Sequence, residues 1–155
     1  MIAAHPYEEV AYDSYCLQND WSNGGMGRVG DLGQPMTLLD FAAQVKKVLG
    51  VQGVRLVGPA DTMIRRVAVC GGAGMGLAGA AQQAGAQVLV TGDIRYHDAQ
   101  DAIADGLCLV DAGHFGTEFP VLKQLQGYLR GCSIANGWDC LFDIACRQAD
   151  IWQCI

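Results

Sequence analysis

Segments that read as strands alternate with segments that read as helices, and that alternation predicts an α/β fold: a layered sheet with flanking helices. Two further observations agree. Short runs rich in Val, Leu and Ile are followed by glycine-rich loops, as at VAVC-GGAG and VLVT-GD, which is how buried parallel strands end. The chain is also long enough, at 155 residues with 51% hydrophobic and 17% charged residues, to bury a core without staples. The sheet is expected to be largely parallel, with an antiparallel edge.

The elements follow in order. Ala11 to Leu17 alternates well enough for a strand. Gln18 to Pro35 carries Asn23-Gly24-Gly25, Gly27, Gly30 and Gly33, and reads as a linker or a glycine-rich loop. Thr37 opens a helix, with Asp40 three residues on as a short relative of the capping box. Leu38, Phe41, Ala42, Val45, Val48 and Leu49 keep helical spacing, and Gly50 ends the run. Val54 to Val57 and Val67 to Cys70 read as short buried strands. Leu77 to Ala84 reads as a small-residue helix and Gln87 to Thr91 as a strand. Ala99 to Ala104 is a short helix, Leu107 to Val110 a strand, and Phe119 to Leu129 a helix. Cys140, Phe142, Ile144 and Cys146 alternate with polar neighbours, which predicts a half-buried strand near the end.

Composition narrows the function. Ten basic residues stand against sixteen acidic ones, a net charge of −6, with no run of Lys or Arg. That argues against a nucleic-acid partner, because phosphate neutralisation needs clustered cations. A cationic substrate or a metal ion suits it better. No stretch has the length and apolarity of a membrane span. The start, MIAAHPYEEV, lacks the basic region of a secretion signal, so a cytoplasmic protein is expected. The seven cysteines are odd in number and form no C-x-x-C pair, so they read as reduced thiols. Those of the tail, Cys132, Cys140, Cys146 and Cys154, are expected in the core.

Ligands of open α/β sheets bind beyond the carboxyl ends of the strands, so the loops there are the place to look. Three carry chemistry. His114 and Glu118 are four residues apart where a helix begins, which puts both side chains on one face. Such a pair is a common partial metal site. The alternative is that His114 caps the turn and Glu118 complements the helix N-terminus. Asp111, just before, can bind metal or orient His114. A second loop offers Asp93, Arg95, His97 and Asp98. His97 near carboxylates suits general acid–base work, against the alternative of a solvated loop capped by Asp98. A third loop, Gly71 to Gly76, includes Gly71, Gly72 and Gly74. Gly74-x-Gly76-x-x-Gly79 after a strand matches the form of a dinucleotide fingerprint. The alternative is a tight turn with small residues for close packing.

GGAG after VAVC, TGDIRYHDA and DAGHFGTE, in this order, resemble the C-terminal half of the Nif-three-like family, whose members are called GTP cyclohydrolase I type 2 homologues. HPYEEVAYDSYCL resembles the end of the CutA/PII-like domain inserted in many bacterial members. GMGRVGDLGQPMTLLDFAAQVKKVLG resembles the segment that returns to the main domain. The likeness runs from about His5 to Arg130. It implies a division into residues 1–34, the end of the insert and a linker, and residues 35–155, the C-terminal half of a Nif-three-like domain whose N-terminal half is absent.

The resemblance also implies a centre of two divalent metal ions (zinc, manganese or iron) and a homo-oligomer, commonly a hexameric ring. His114 and Glu118 map onto family metal ligands. His97 maps onto a histidine near the centre that is suited to moving protons. Asp93 and Asp111 stand behind the ligands. The implied activity is hydrolysis of a small molecule. The family takes its other ligands, including a His-His pair and an Asp, from the N-terminal half. This chain has only His5, His97 and His114, so it is expected to be inactive by itself. The competing readings are a nucleotide-binding module built on residues 71–79 and a non-catalytic assembly piece.

Overall fold

The computed structural model describes residues 24–145 and 149–152. A five-stranded sheet forms its centre, in the order β1-β3-β4-β5-β2. The strands are β1 (Arg28–Thr37), β2 (Arg55–Val57), β3 (Met63–Val69), β4 (Val88–Thr91) and β5 (Cys108–Asp111). The helices are α1 (Leu38–Leu49), α2 (Ala78–Gln83), α3 (Tyr96–Ala104), α4 (His114–Glu118) and α5 (Val121–Asn136), with a 3-10 turn at Met75–Leu77 before α2. β3, β4 and β5 run parallel, while β1 and β2 pair antiparallel at the two edges. The expected fold class is therefore what forms, with antiparallel strands at both edges.

Strand periodicity sorts the core into two layers. Val88, Val90, Cys108 and Val110 face one way, onto Leu38, Phe41 and Ala42 of α1. Ala68, Leu89 and Leu109 face the other, onto Ala81 of α2 and Ala102 of α3. Every residue of β4 and β5 is buried, which is why these strands read as unbroken apolar runs. Burying a side chain such as Leu89 or Leu109 stabilises the fold by about 1.5–3 kcal/mol.

Helix α1 begins and ends as its sequence predicts. The Asp40 amide donates to Thr37 Oγ1 at 3.1 Å, and Gly50 closes the helix in the left-handed region at φ 67. Thr37→Ala should lower stability by about 1 kcal/mol. A urea midpoint unchanged by the substitution would mean that this cap does not form in solution.

Two secondary-structure expectations are corrected. Residues 28–35, expected within a linker or loop, belong to β1. Pairing with β3 outweighs the poor strand propensity of Gly30, Gly33 and Pro35. The register shifts between Asp31 and Met36, so Pro35 sits where its missing N–H removes no ladder bond. The strand expected at 140–146 does not form over its described part. The peptide instead lies on α5, where Gln126 and Arg130 donate to the Phe142 carbonyl at 2.8 and 2.9 Å. Phe142 and Ile144 are half-buried between exposed neighbours, so the alternation is real but has no ladder partner.

Among the described cysteines, Cys70 and Cys108 are buried, Cys132 is half-buried and Cys140 is exposed, all as free thiols. The core expectation therefore fails for Cys140. The expected strand at 11–17, together with Cys146 and Cys154, lies outside the described residues. Among those residues no helix is long and apolar enough to cross a membrane.

Candidate functional site

Because β3, β4 and β5 are parallel, their carboxyl ends share one edge, and the loops that follow them meet there. Hydrogen bonds stitch the loops together. The Gly92 amide donates to the Gly72 carbonyl at 2.8 Å, and the Ala112 amide to the Thr91 carbonyl at 2.9 Å. Thr91, fully buried, donates from Oγ1 to the Gly72 carbonyl and accepts from the Gly74 amide, both at 2.8 Å. The Gly72 amide donates to Thr117 Oγ1 at 2.9 Å.

Gly113, at φ 77, turns the chain from β5 into α4. One turn of that helix brings His114 and Glu118 together, as their spacing predicts. His114 Nε2 lies 3.3 Å from Glu118 Oε2. The other ring nitrogen, Nδ1, lies 2.6 Å from Asp93 Oδ2. All three side chains are about half exposed. The hydrogen bond to Asp93, and then the charge of Glu118, raise the His114 pKa above the ordinary imidazole value. The floor beneath them is Gly72, at φ 66: a Cβ there would sit 2.5 Å from Glu118 Oε1 and 3.3 Å from His114 Cε1.

Asp111 is placed differently from expectation. It is 6% exposed, and its carboxylate accepts from Arg55, from the Ile94 amide at 3.2 Å and from the Gly113 amide at 3.0 Å. It makes no hydrogen bond to His114; Asp93 does. Asp111 braces two of the loops from below.

His97 is exposed on the first turn of α3. Its Nδ1 meets Gln100 Oε1 at 3.1 Å, and its ring stands edge-on to Tyr96. Among the described residues no hydrogen bond joins it to His114, Asp93 or Glu118. At the glycine loop the geometry favours the second of the two readings, the tight turn. The amides of Gly72 and Gly74 are committed to Thr117 and Thr91, whereas a phosphate cradle needs them free. Gly71 lies where a Cβ would press on the Thr117 carbonyl at 3.1 Å. Gly76 and Gly79 fall in the 3-10 turn and in six-residue α2. Gly71, Gly72 and Gly74 serve close packing, while Gly76 and Gly79 face open space.

Sequence reasoning missed Arg55, Thr91 and Thr117. Thr91 left one signal, a polar residue closing the buried run VLVT. The described residues hold no cluster of three or more His, Cys, Asp or Glu able to hold an ion alone. Asp93 lies on the far ring nitrogen, which leaves His114 and Glu118 as a two-ligand flank.

The family model described as Duf34/NIF3 (NGG1p interacting factor 3) matches residues 3–146. The chain belongs to the DUF34/NIF3 family. Relatives named GTP cyclohydrolase 1 type 2 homolog agree with this membership. The one from Halalkalibacterium halodurans is 52% identical over 114 residues, which are 74% of this chain and 31% of the relative. The one from Bacillus subtilis is 51% identical over 124 residues, 80% of this chain and 33% of the relative. The chain thus spans about a third of the length of these relatives. Among solved structures, a Bacillus cereus protein related to NIF3 superposes with a TM-score of 0.84 at 40% identity, covering 99% of this chain and 42% of that one. A Staphylococcus aureus protein superposes at 0.80 with 36% identity, over 84% of this chain and 42% of that one. The resemblance first seen in VAVC-GGAG, TGDIRYHDA and DAGHFGTE is therefore a DUF34/NIF3 resemblance in sequence and in fold.

Proposed function

We propose that this chain supplies one flank of a two-metal centre in a hydrolase of the GTP cyclohydrolase 1 type 2 homologue kind. The observation that carries this reading is the placement of His114 and Glu118. Two ligands of one tetrahedral zinc ion, each about 2.0–2.2 Å from it, stand about 3.4 Å apart. The 3.3 Å between His114 Nε2 and Glu118 Oε2 suits such a shared ion. A carboxylate on the other ring nitrogen, here Asp93, is the usual companion of a histidine ligand. The mixed nitrogen and oxygen donors suit zinc, manganese or iron.

Bound divalent ions would supply Lewis acidity and lower the pKa of water for attack on a small-molecule substrate. The residues of this chain would do the holding. His114 and Glu118 would be the ligands, Asp93 would keep the imidazole in place, and Gly72 would keep the floor open beside the Glu118 carboxylate. Two ligands leave the site open, so the remaining ones would come from the further length that the relatives possess, from another copy, or from water. His97 is given no step, since it touches none of these groups.

A cytoplasmic homo-oligomer, a hexameric ring when complete, belongs to the same proposal. Self-association in that proposal is supported by an apolar face on α5, where Val121, Leu125 and Tyr128 are exposed at helical spacing.

Elemental mass spectrometry of zinc-reconstituted protein tests the reading. Metal should be present in the wild type and lost in both His114→Ala and Glu118→Ala, with circular dichroism showing that the variants fold. Zinc retained in either variant would move the ion away from this pair.

A further inference from the structure

We infer that Asp93 is the positioning residue of this site: by accepting the Nδ1–H of His114, it leaves Nε2 as the free donor atom, aimed at Glu118. The inference deepens the metal reading above and rests on it for its binding consequence, but not for its geometry.

Three observations carry it. The Nδ1–Oδ2 separation of 2.6 Å is that of a short, charge-assisted hydrogen bond. Asp93 is the only non-glycine among the described residues with a positive φ, 56°, a conformation unfavourable for a side chain with a Cβ. That backbone is pinned on both sides of the residue. The Gly92 amide is tied to the Gly72 carbonyl at 2.8 Å, and the Ile94 amide to Asp111 Oδ2 at 3.2 Å. Strain held in place by its surroundings at a site marks a constraint on aim. The backbone alone does not call for Asp, since Gly or Asn adopts it at least as readily. What Asp adds is a carboxylate opposite Nδ1. A neutral imidazole has one N–H, and Asp93, 2.6 Å from Nδ1, competes for it better than Glu118, 3.3 Å from Nε2. The Nε2 lone pair is then ready before any ion arrives.

The test uses the 155-residue chain with Asp93→Gly and Asp93→Asn. Metal-free protein labelled with 15N-histidine, at a pH where the ring is neutral, reports the His114 tautomer by long-range proton–nitrogen correlation. Competition with a chromophoric chelator reports zinc affinity. Asp93→Gly should melt no lower than wild type, because it relieves the strained backbone. It should nevertheless move the proton to Nε2 and weaken zinc binding by about 10–100-fold. Asp93→Asn should keep the proton on Nδ1, since its carbonyl still accepts, and yet weaken zinc about tenfold, toward the lower end of that range. A residue that only shaped the loop would lower the melting temperature and leave the tautomer alone.

An unchanged tautomer in Asp93→Gly overturns the inference, even where zinc binds the wild type through His114 and Glu118. A shifted tautomer in a protein that binds no zinc sinks the metal reading and leaves the positioning role standing. Should Asp93→Gly melt lower than wild type, its His114 tautomer is read below its own melting transition, and a proton still on Nδ1 there overturns the inference.

Discussion

Gly92→Ala should lower stability by about 3 kcal/mol, the upper end of ordinary overpacking costs. A Cβ on Gly92 would lie 2.6 Å from both the Gly113 carbonyl carbon and the His114 amide nitrogen, and 2.8 Å from the Gly113 oxygen. All three are backbone atoms. No rotamer change relieves the overlap, so the loops after β4 and β5 must move apart. The first contact to go is the hydrogen bond between Asp93 and His114, which spans those loops. Gly79→Ala is the control. It lies within α2 with nothing within 4 Å of its would-be Cβ. There, alanine should be neutral or stabilising by up to about 1 kcal/mol. Urea denaturation of both variants makes the comparison. Equal midpoints would show that the loops do not approach in solution as described.

The second large effect is expected at Asp111. Removing its carboxylate with Asp111→Ala leaves the Ile94 and Gly113 amides without their acceptor. A buried donor left unpaired, here the Ile94 amide, costs about 1–3 kcal/mol, and the part-buried Gly113 amide adds about 1 kcal/mol, so a loss of about 2–4 kcal/mol is expected. The ion pair with Arg55 adds less, because that side chain is 71% exposed and water screens it. Hydrogen exchange separates local from global damage. The Ile94 and Gly113 amides should lose protection first, ahead of Leu89 and Leu109 in the core. Wild-type protection at both amides would show that Asp111 is not their acceptor.

Much of this arrangement could be read from the residues, and physical causes separate the parts that could from those that could not. VLVT and CLVD are buried on both faces, so their apolar runs announce strands whatever the neighbours do. The i, i+4 relation of His114 and Glu118 is local geometry, and one helical turn settles it. The roles of Asp93 and Asp111 are different. Both are carboxylates at strand ends, and which one reaches His114 depends on the left-handed backbone at Asp93 and on the amides that capture Asp111. No spacing rule encodes either. β1 was hidden because Gly30, Gly33 and Pro35 argue against a strand, and only pairing with β3 overrides them. The tail misled in the opposite direction. The alternation around Phe142 is a packing pattern against α5, which periodicity alone does not distinguish from a sheet.

The two outer strands bear on how the molecule meets others. An open sheet offers its border backbone groups as a template for strand addition, the route to fibrillar aggregation. Here both borders resist it. β2 is three residues long and opens with Arg55. β1 carries Pro35, a break in register and the charged Arg28 and Asp31. Among the described residues, neither border offers an extended peptide an uninterrupted flat ladder. Both borders of the sheet, over the described residues, thus discourage growth by strand addition.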